Sequence, residues 1–367
     1  MDALSNYNSV ALHSLIRTLA PFVPNELIPD KQYQRIGDIS TQLPVLRVAG
    51  FETDLTRSHT GFVVRLAASD INSVVRRQLL FVARHDPSGV WDSILKVMDL
   101  PSVIEQWLKF DLPPGQNSDS MPSVFCRLTD AMINDDYVAA PSYIHEIIET
   151  LSKNKVEKST TVLLDRIYQA LPPSGEVFQI GLLLARQDKG LRLLIRGLTP
   201  EAIIGFLKTI EWPGDLGPVY GMVQCWSKVT DLIFLSIDVG SRVGPRLGLE
   251  LKYHKHFVEF DPRWERLLSA FVASGLCAPK QKDALLHWSG ITRESSSVCW
   301  PEHLKGASEW FGNEFEPVIV RAINHAKIVI DEGAIATAKV YYGFYLNWEQ
   351  TADLDMQNNR KIRVSVE

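Results

Sequence analysis

Apolar residues recur at helical spacing (i, i+3, i+4, i+7) in seven stretches: Leu12/Leu15/Ile16/Leu19, Trp91/Ile94/Leu95/Met98, Ile144/Ile147/Ile148/Leu151, Leu164/Ile167/Tyr168/Leu171, Ile203/Phe206/Leu207/Ile210, Val219/Met222/Val223/Trp226 and Trp264/Leu267/Leu268/Phe271. Asp86-Pro87, Thr199-Pro200 and Asp261-Pro262 each offer a capping side chain before a proline at the first helical position, and Gly275 follows the last apolar residue of its stripe. Between these stripes lie five pairs of period-2 segments, at about 45–67, 103–128, 177–197, 231–255 and 323–347. They are joined by turn-rich stretches such as Gly240-Ser241-Arg242 and Asp331-Glu332-Gly333. The pattern predicts an α+β chain in which a helix, helix, strand, strand unit occurs five times. Ten antiparallel strands are enough to close a barrel, with the helices as an outer ring. No linker interrupts the series, so residues 1–348 read as one domain and 349–367 as a polar, peripheral tail. No short internal repeat accompanies the regular order of elements.

Composition narrows the class. With 46% hydrophobic and 22% charged residues in 367, the chain is neither disordered nor a low-complexity filament nor a small disulfide scaffold. A formal net charge of −5 provides no global basic footprint, so no nucleic-acid partner is expected. The N-terminus lacks a basic region followed by an apolar core, and no apolar run approaches the roughly 18 residues that span a bilayer. Cytoplasmic residence without membrane insertion is the expectation. Cys126, Cys225, Cys277 and Cys299 form no C-x-x-C, which fits a reducing compartment and four buried thiols.

Local charge emerges when each strand is split into its two faces. Arg192 and Arg196 share one face, opposite Leu191, Leu193 and Ile195; Glu250 and Lys252 oppose Leu247, Leu249 and Leu251; Lys339, Tyr341 and Tyr345 oppose Val340, Tyr342 and Phe344. If helices cover the leucine-rich faces, the lumen receives Arg65, Lys109, Arg127, Arg186, Arg192, Arg196, Lys252, Lys327 and Lys339, with Trp107, Phe125, Tyr341 and Tyr345. Unpartnered, so many buried cations would cost several kcal/mol each. The lumen is therefore wet, paired with Glu250, Asp238 and Asp111, or built for an anion; an open sheet with a solvated polar face is the remaining alternative.

Over roughly residues 40–348, this order of elements, with Lys339-Val340-Tyr341, Arg192-x-x-x-Arg196 and the strand of Arg186, resembles the ABBA-type (PT-barrel) aromatic prenyltransferases, the indole and cyanobactin peptide enzymes being nearest in length and organisation. The resemblance implies a ten-stranded barrel holding a prenyl diphosphate, as co-substrate, and an aromatic small molecule or peptide side chain as acceptor. It implies no cofactor and no metal. Lys, Arg and Tyr would hold the diphosphate, Tyr341, Tyr345 and Trp107 would shield the allylic cation, and a carboxylate, Glu250 first and then Asp238 or Glu52, would orient or deprotonate the acceptor. Two other readings stand beside it: a non-catalytic binding or maturation partner holding an anionic ligand or peptide in the lumen, and an enzyme for another anionic substrate.

Other signals are weaker. Asn134-Asp135-Asp136 is not D-D-x-x-D, His145-Glu146-Ile147-Ile148-Glu149 lacks the second His of H-E-x-x-H, and His254-x-His256 has no third ligand. P-loop, dinucleotide-binding and nucleophile-elbow motifs do not occur.

Overall fold

The computed structural model describes residues 12–57, 59–115, 121–129, 140–184, 190–254, 261–352 and 354. The period-2 segments form hairpins: β1 (Val48–Asp54) with β2 (Thr60–Ala67), β3 (Val103–Leu112) with β4 (Ser123–Leu128), β5 (Glu176–Leu182) with β6 (Leu191–Arg196), β7 (Leu232–Val239) with β8 (Val243–Lys252), and β10 (Phe315–Asp331) with β11 (Ala334–Gln350). The short β9 (Gly290–Arg293) lies beside the first half of β10. Each hairpin follows a helix pair: α1 (Leu12–Leu19) and α2 (Asp30–Thr41), α3 (Ser73–His85) and α4 (Val90–Met98), α5 (Ala140–Ser152) and α6 (Lys158–Ala170), α7 (Pro200–Thr209) and α8 (Leu216–Trp226), α9 (Arg263–Ala273) and α10 (Pro279–Trp288). All neighbouring strands are antiparallel, and β11 pairs with both β10 and β1, so ten strands close into a barrel. The hairpin turns gather at one end and the helical connections at the other. The expected fold is therefore the observed one. Among the described residues no helix is long and apolar enough to cross a membrane.

The outward strand faces and the helix stripes make one core. Phe51, Phe62, Val64, Leu108, Phe110, Leu249 and Phe344 are all buried against residues such as Leu15, Ile94, Ile167 and Leu267. Trp288 clamps the closing seam, with its ring edge-on to Phe51 at 5.6 Å and its indole N–H donating to the Gly343 carbonyl at 3.2 Å. Gly50 faces Gly343 across that seam. A Cβ on Gly50 would come within 2.6 Å of the Tyr342 carbonyl oxygen and 2.9 Å of Gly343 Cα, both backbone atoms that cannot swing away. Gly50→Ala is accordingly expected to destabilise the fold by about 1–3 kcal/mol, read as a lower urea midpoint in tryptophan fluorescence.

Several local expectations change. Thr199 caps α7 as expected, accepting from the Ala202 amide, but Asp86 closes a turn ahead of α4, accepting from Ser88 N and Trp91 N, and the helix starts at Val90. No apolar stripe marks α2, because its buried residues are Gln32, Ile36 and Ser40, mostly polar; α3 and α10 each bury only two residues. The last hairpin is longer than expected: β10 begins at Phe315, and β11 runs to Gln350. The start of the supposed tail thus belongs to the barrel, with Leu354 buried against Val318 and Val320. All four cysteines are free, but only Cys126 and Cys277 are buried; Cys225 and Cys299 are exposed, because they lie on the solvent side of α8 and of the segment after β9. Arg186, His256 and Asn134–Asp136 lie outside the described residues.

Candidate active site

Which side chains enter the lumen depends on parity, and in β10 parity changes. Ile323 pairs with Tyr342 on the helix-covered face, then a register shift makes His325 pair with Tyr341 and Lys327 with Lys339. Asn324 is the extra residue. Without that bulge His325 and Lys327 would point at the helices; with it they point inward. Arg321, before the bulge, stays on the helix side, its guanidinium 3.8 Å from the Phe22 ring centroid and bonded to the Trp288 carbonyl.

Among the described residues, the inward cations predicted from strand faces reach the lumen, and each stands beside a carboxylate. Lys109 Nζ is 2.7 Å from Glu52 Oε2 and 3.1 Å from Asp111, and Lys339 Nζ is 2.6 Å from Glu52 Oε1. Lys252 and Lys327 both approach Glu250 at 3.4 Å, Lys327 also donating to Ser236 Oγ at 2.9 Å. Arg192 grips Asp238 with two bonds of 2.7 and 2.9 Å. Near the helical end, Arg65 pairs with Asp70 at 2.6 Å and Glu105 at 3.7 Å, Arg127 with Glu105 at 3.9 Å, and Arg196 with Glu176. Of the alternatives left open by sequence, the paired lumen is the one observed.

Glu52 is the most enclosed of these groups, with no exposed surface. Burial would raise its pKa, but the Lys109 and Lys339 ammoniums outweigh it and hold the carboxyl well below its usual range. Burial works against the Lys109 ammonium too, yet Glu52 and Asp111 raise its pKa. Although Lys109 is close to Oε2, the contact lies off a hydrogen-bond direction, leaving that buried oxygen without an aligned donor. Lys109 reaches Glu52 by passing over Gly61, where a Cβ would be 3.1 Å from its Cε. Glu52, His59 and Asp111 bring three possible ligand atoms within 4.8 Å of one another; the Lys109 ammonium stands against both carboxylates and takes the cation's place. Around Glu250, burial is outweighed by His325, which is charged in the acid range where Glu250 titrates, and by Lys252 and Lys327, and its pKa falls to about 2. Burial, only partly offset by Glu250, lowers Lys327 to about 8.

Between these clusters lies a cavity of about 60 Å³ lined by Arg192, Ser236, Asp238, Arg246, Leu247, Gly248, Val329 and Lys339. Three cations thus face one carboxylate there. Gly248 keeps the space open for Lys327, whose Cε would be 2.3 Å from a Cβ at that position. Trp107 and Phe125 occupy adjacent positions on β3 and β4, their side chains partly exposed to the lumen. Phe234 lies under Lys252 at 4.8 Å and edge-on to Phe178 at 5.1 Å. Tyr345 packs, with Ile291, against an apolar cluster of Val318, Val320 and Leu354.

Sequence reading missed Arg246, Ser236 and His325. Arg246 was accessible to it, since it precedes Glu250 by four residues on the same face of β8; Ser236 shares the face of Asp238 in the same way. His325 carried no such signal, because its inward direction follows from the bulge.

No protein-family model matches the sequence, and no curated relative was found. Solved structures do share the fold. The 6-dimethylallyltryptophan synthase from Micromonospora olivasterospora, in complex with DMASPP and Trp, is 11% identical, the match covering 90% of this chain and 95% of that one with a TM-score of 0.52. A further 6-dimethylallyl tryptophan synthase is 12% identical over 90% and 94% of the two chains, TM-score 0.53. AnaPT from Neosartorya fischeri is 12% identical over 93% and 94%, TM-score 0.56. The chain therefore has the PT-barrel architecture of these prenyltransferases over almost its whole length.

Proposed function

We propose that this protein moves a prenyl group from an allylic diphosphate to an aromatic acceptor bound in the barrel, without a metal or other cofactor. The observation that carries the reading is the small polar cavity in which Arg192, Arg246 and Lys339 face a single carboxylate, Asp238. Three cations around one carboxylate suit a phosphoryl group better than neutral solutes. The space is about that of two waters, so a complete donor and acceptor enter only as partly exposed lumen side chains give way.

In this reaction the allylic C–O bond breaks and its electron pair leaves with the diphosphate, whose growing charge Arg192, Arg246, Lys327 and Lys339 stabilise. Tyr341 and Trp107 flank the allylic cation and keep water from it. A ring carbon of the acceptor then bonds to the allylic carbon. Glu52, whose Oε2 lacks an aligned donor, accepts a hydrogen bond from the acceptor's N–H or O–H and holds the ring in place. Glu250 and Asp238, the other carboxylates expected to serve the acceptor, instead keep Lys252, Lys327 and Arg192 in position.

The binding-partner reading is favoured by one feature, the extensive internal pairing of the cations, which lets the lumen persist without a ligand. Titration with dimethylallyl and geranyl diphosphates in EDTA, followed by assay with tryptophan and with tryptophan- or tyrosine-containing peptides, separates the two. Saturable binding with acceptor-dependent pyrophosphate release supports transfer. Binding without turnover gives the partner reading, and absence of binding removes prenyl transfer and leaves a partner that holds another anionic ligand or a peptide. Arg192→Met should weaken donor binding about 10- to 100-fold, the worth of one charged hydrogen bond, measured by the same titration.

A further inference from the structure

We propose that His325 takes the proton that the acceptor ring loses after the new bond forms, an assignment that rests on the prenyl-transfer reading above. The bulge at Asn324 turns His325 into the lumen, where its ring stacks on Tyr341 with centroids 4.2 Å apart and planes 14° from parallel. Nδ1 lies 2.7 Å from Asn324 Oδ1. An amide oxygen only accepts, so Nδ1 carries the proton and Nε2 presents its lone pair. Nε2 faces Glu250 Oε2 at 3.7 Å. Two acceptors do not bond to each other; a proton placed on Nε2 turns the contact into an ion pair.

The groups facing His325 are Lys252 and Glu250 on β8, Lys327 on its own strand, Tyr341 on β11 and Glu52 on β1. Burial, with the two lysines, holds its pKa well below the usual histidine range, so the imidazole is neutral at physiological pH. That basicity is sufficient, because a protonated aromatic ring is a far stronger acid than an imidazolium. The other lumen bases are engaged: Glu52 between Lys109 and Lys339, Asp238 by Arg192, and Glu250 between Lys252 and Lys327. The ring C–H bond breaks, its electron pair restores the aromatic π system, and the proton passes to Nε2, where Glu250 stabilises it.

The test compares tryptophan with ring-perdeuterated tryptophan, using dimethylallyl diphosphate as donor, in wild-type protein, His325→Gln and His325→Ala. For the glutamine variant, donor affinity should be unchanged, kcat about a hundredfold lower, and a primary isotope effect should appear that wild type lacks; imidazole should restore part of the alanine variant's rate. A glutamine variant with wild-type kcat and no isotope effect overturns the assignment while leaving prenyl transfer intact. If neither variant binds donor, His325 is a structural part of the bulge and the assignment is overturned as well. Wild-type protein that neither binds donor nor releases pyrophosphate overturns prenyl transfer and this step with it.

Discussion

Glu52→Gln is expected to reduce acceptor turnover by about 10²-fold, because the acceptor ring is no longer held in place, and to destabilise the fold by about 3–5 kcal/mol. The substitution keeps the shape of the side chain and removes its charge. Lys109 and Lys339, both at ion-pair distance from Glu52, are left facing one another in a buried space with Asp111 as the remaining nearby carboxylate. Removing one member of a buried ion cluster leaves uncompensated charge, which costs more than the cluster contributes when intact. The measurements are urea unfolding and steady-state kinetics on the same preparation. Glu52→Gln combined with Lys339→Met should recover part of the stability, since the second change removes the ammonium that the first left unpaired, but no activity. A double variant as unstable as the sum of the singles would show that the two residues do not act as a pair.

Diphosphate affinity should fall by up to about 10-fold between pH 7 and 9, as Lys327 loses its proton near pH 8 and with it one charged hydrogen bond. Stability moves the other way. Because the folded-state pKa of Lys327 lies below the ordinary lysine value of about 10.4, the unfolded chain holds the proton more tightly between pH 8 and 10, and this group's contribution to stability rises across that window. Loss of binding there is consequently not caused by a loss of stability from Lys327. On the acid side, Glu250 near 2 and Glu52 well below its usual value stabilise the fold fully above their unfolded pKa of about 4.3 and lose that contribution as pH falls toward the folded values. Lys327→Met should flatten the alkaline decline in affinity and lower affinity at pH 7. An unaltered decline in that variant would assign the titration to another group.

The lumen shows how far strand parity carries. Arg192 and Asp238 could each be placed inward from their own strands, and adjacent pairing then sets them opposite one another. Lys109 and Glu52 are a different case, since they sit on strands separated by β2 and meet only because Gly61 leaves room between them. The same holds for Glu250, placed inward and first among the acceptor-facing carboxylates; its two lysines come from β8 and β10, and the structure makes it their counter-charge. Tyr345 had the right parity as well, yet its level along the barrel puts it among apolar residues.

By itself the sequence determined the α+β class, five helix-pair and hairpin units, and a cation-bearing inner face, because helical and strand periods and side-chain parity are local properties of the chain. The tertiary structure decided which carboxylate neutralises which cation, the Gly50–Gly343 seam, the polar cavity and the inward turn of His325. Those depend on register, on the level of each residue along a closed barrel, and on one extra residue in β10, all fixed only when strands are hydrogen-bonded side by side, β1 with β11 from opposite ends of the chain and β10 with β11 within the last hairpin.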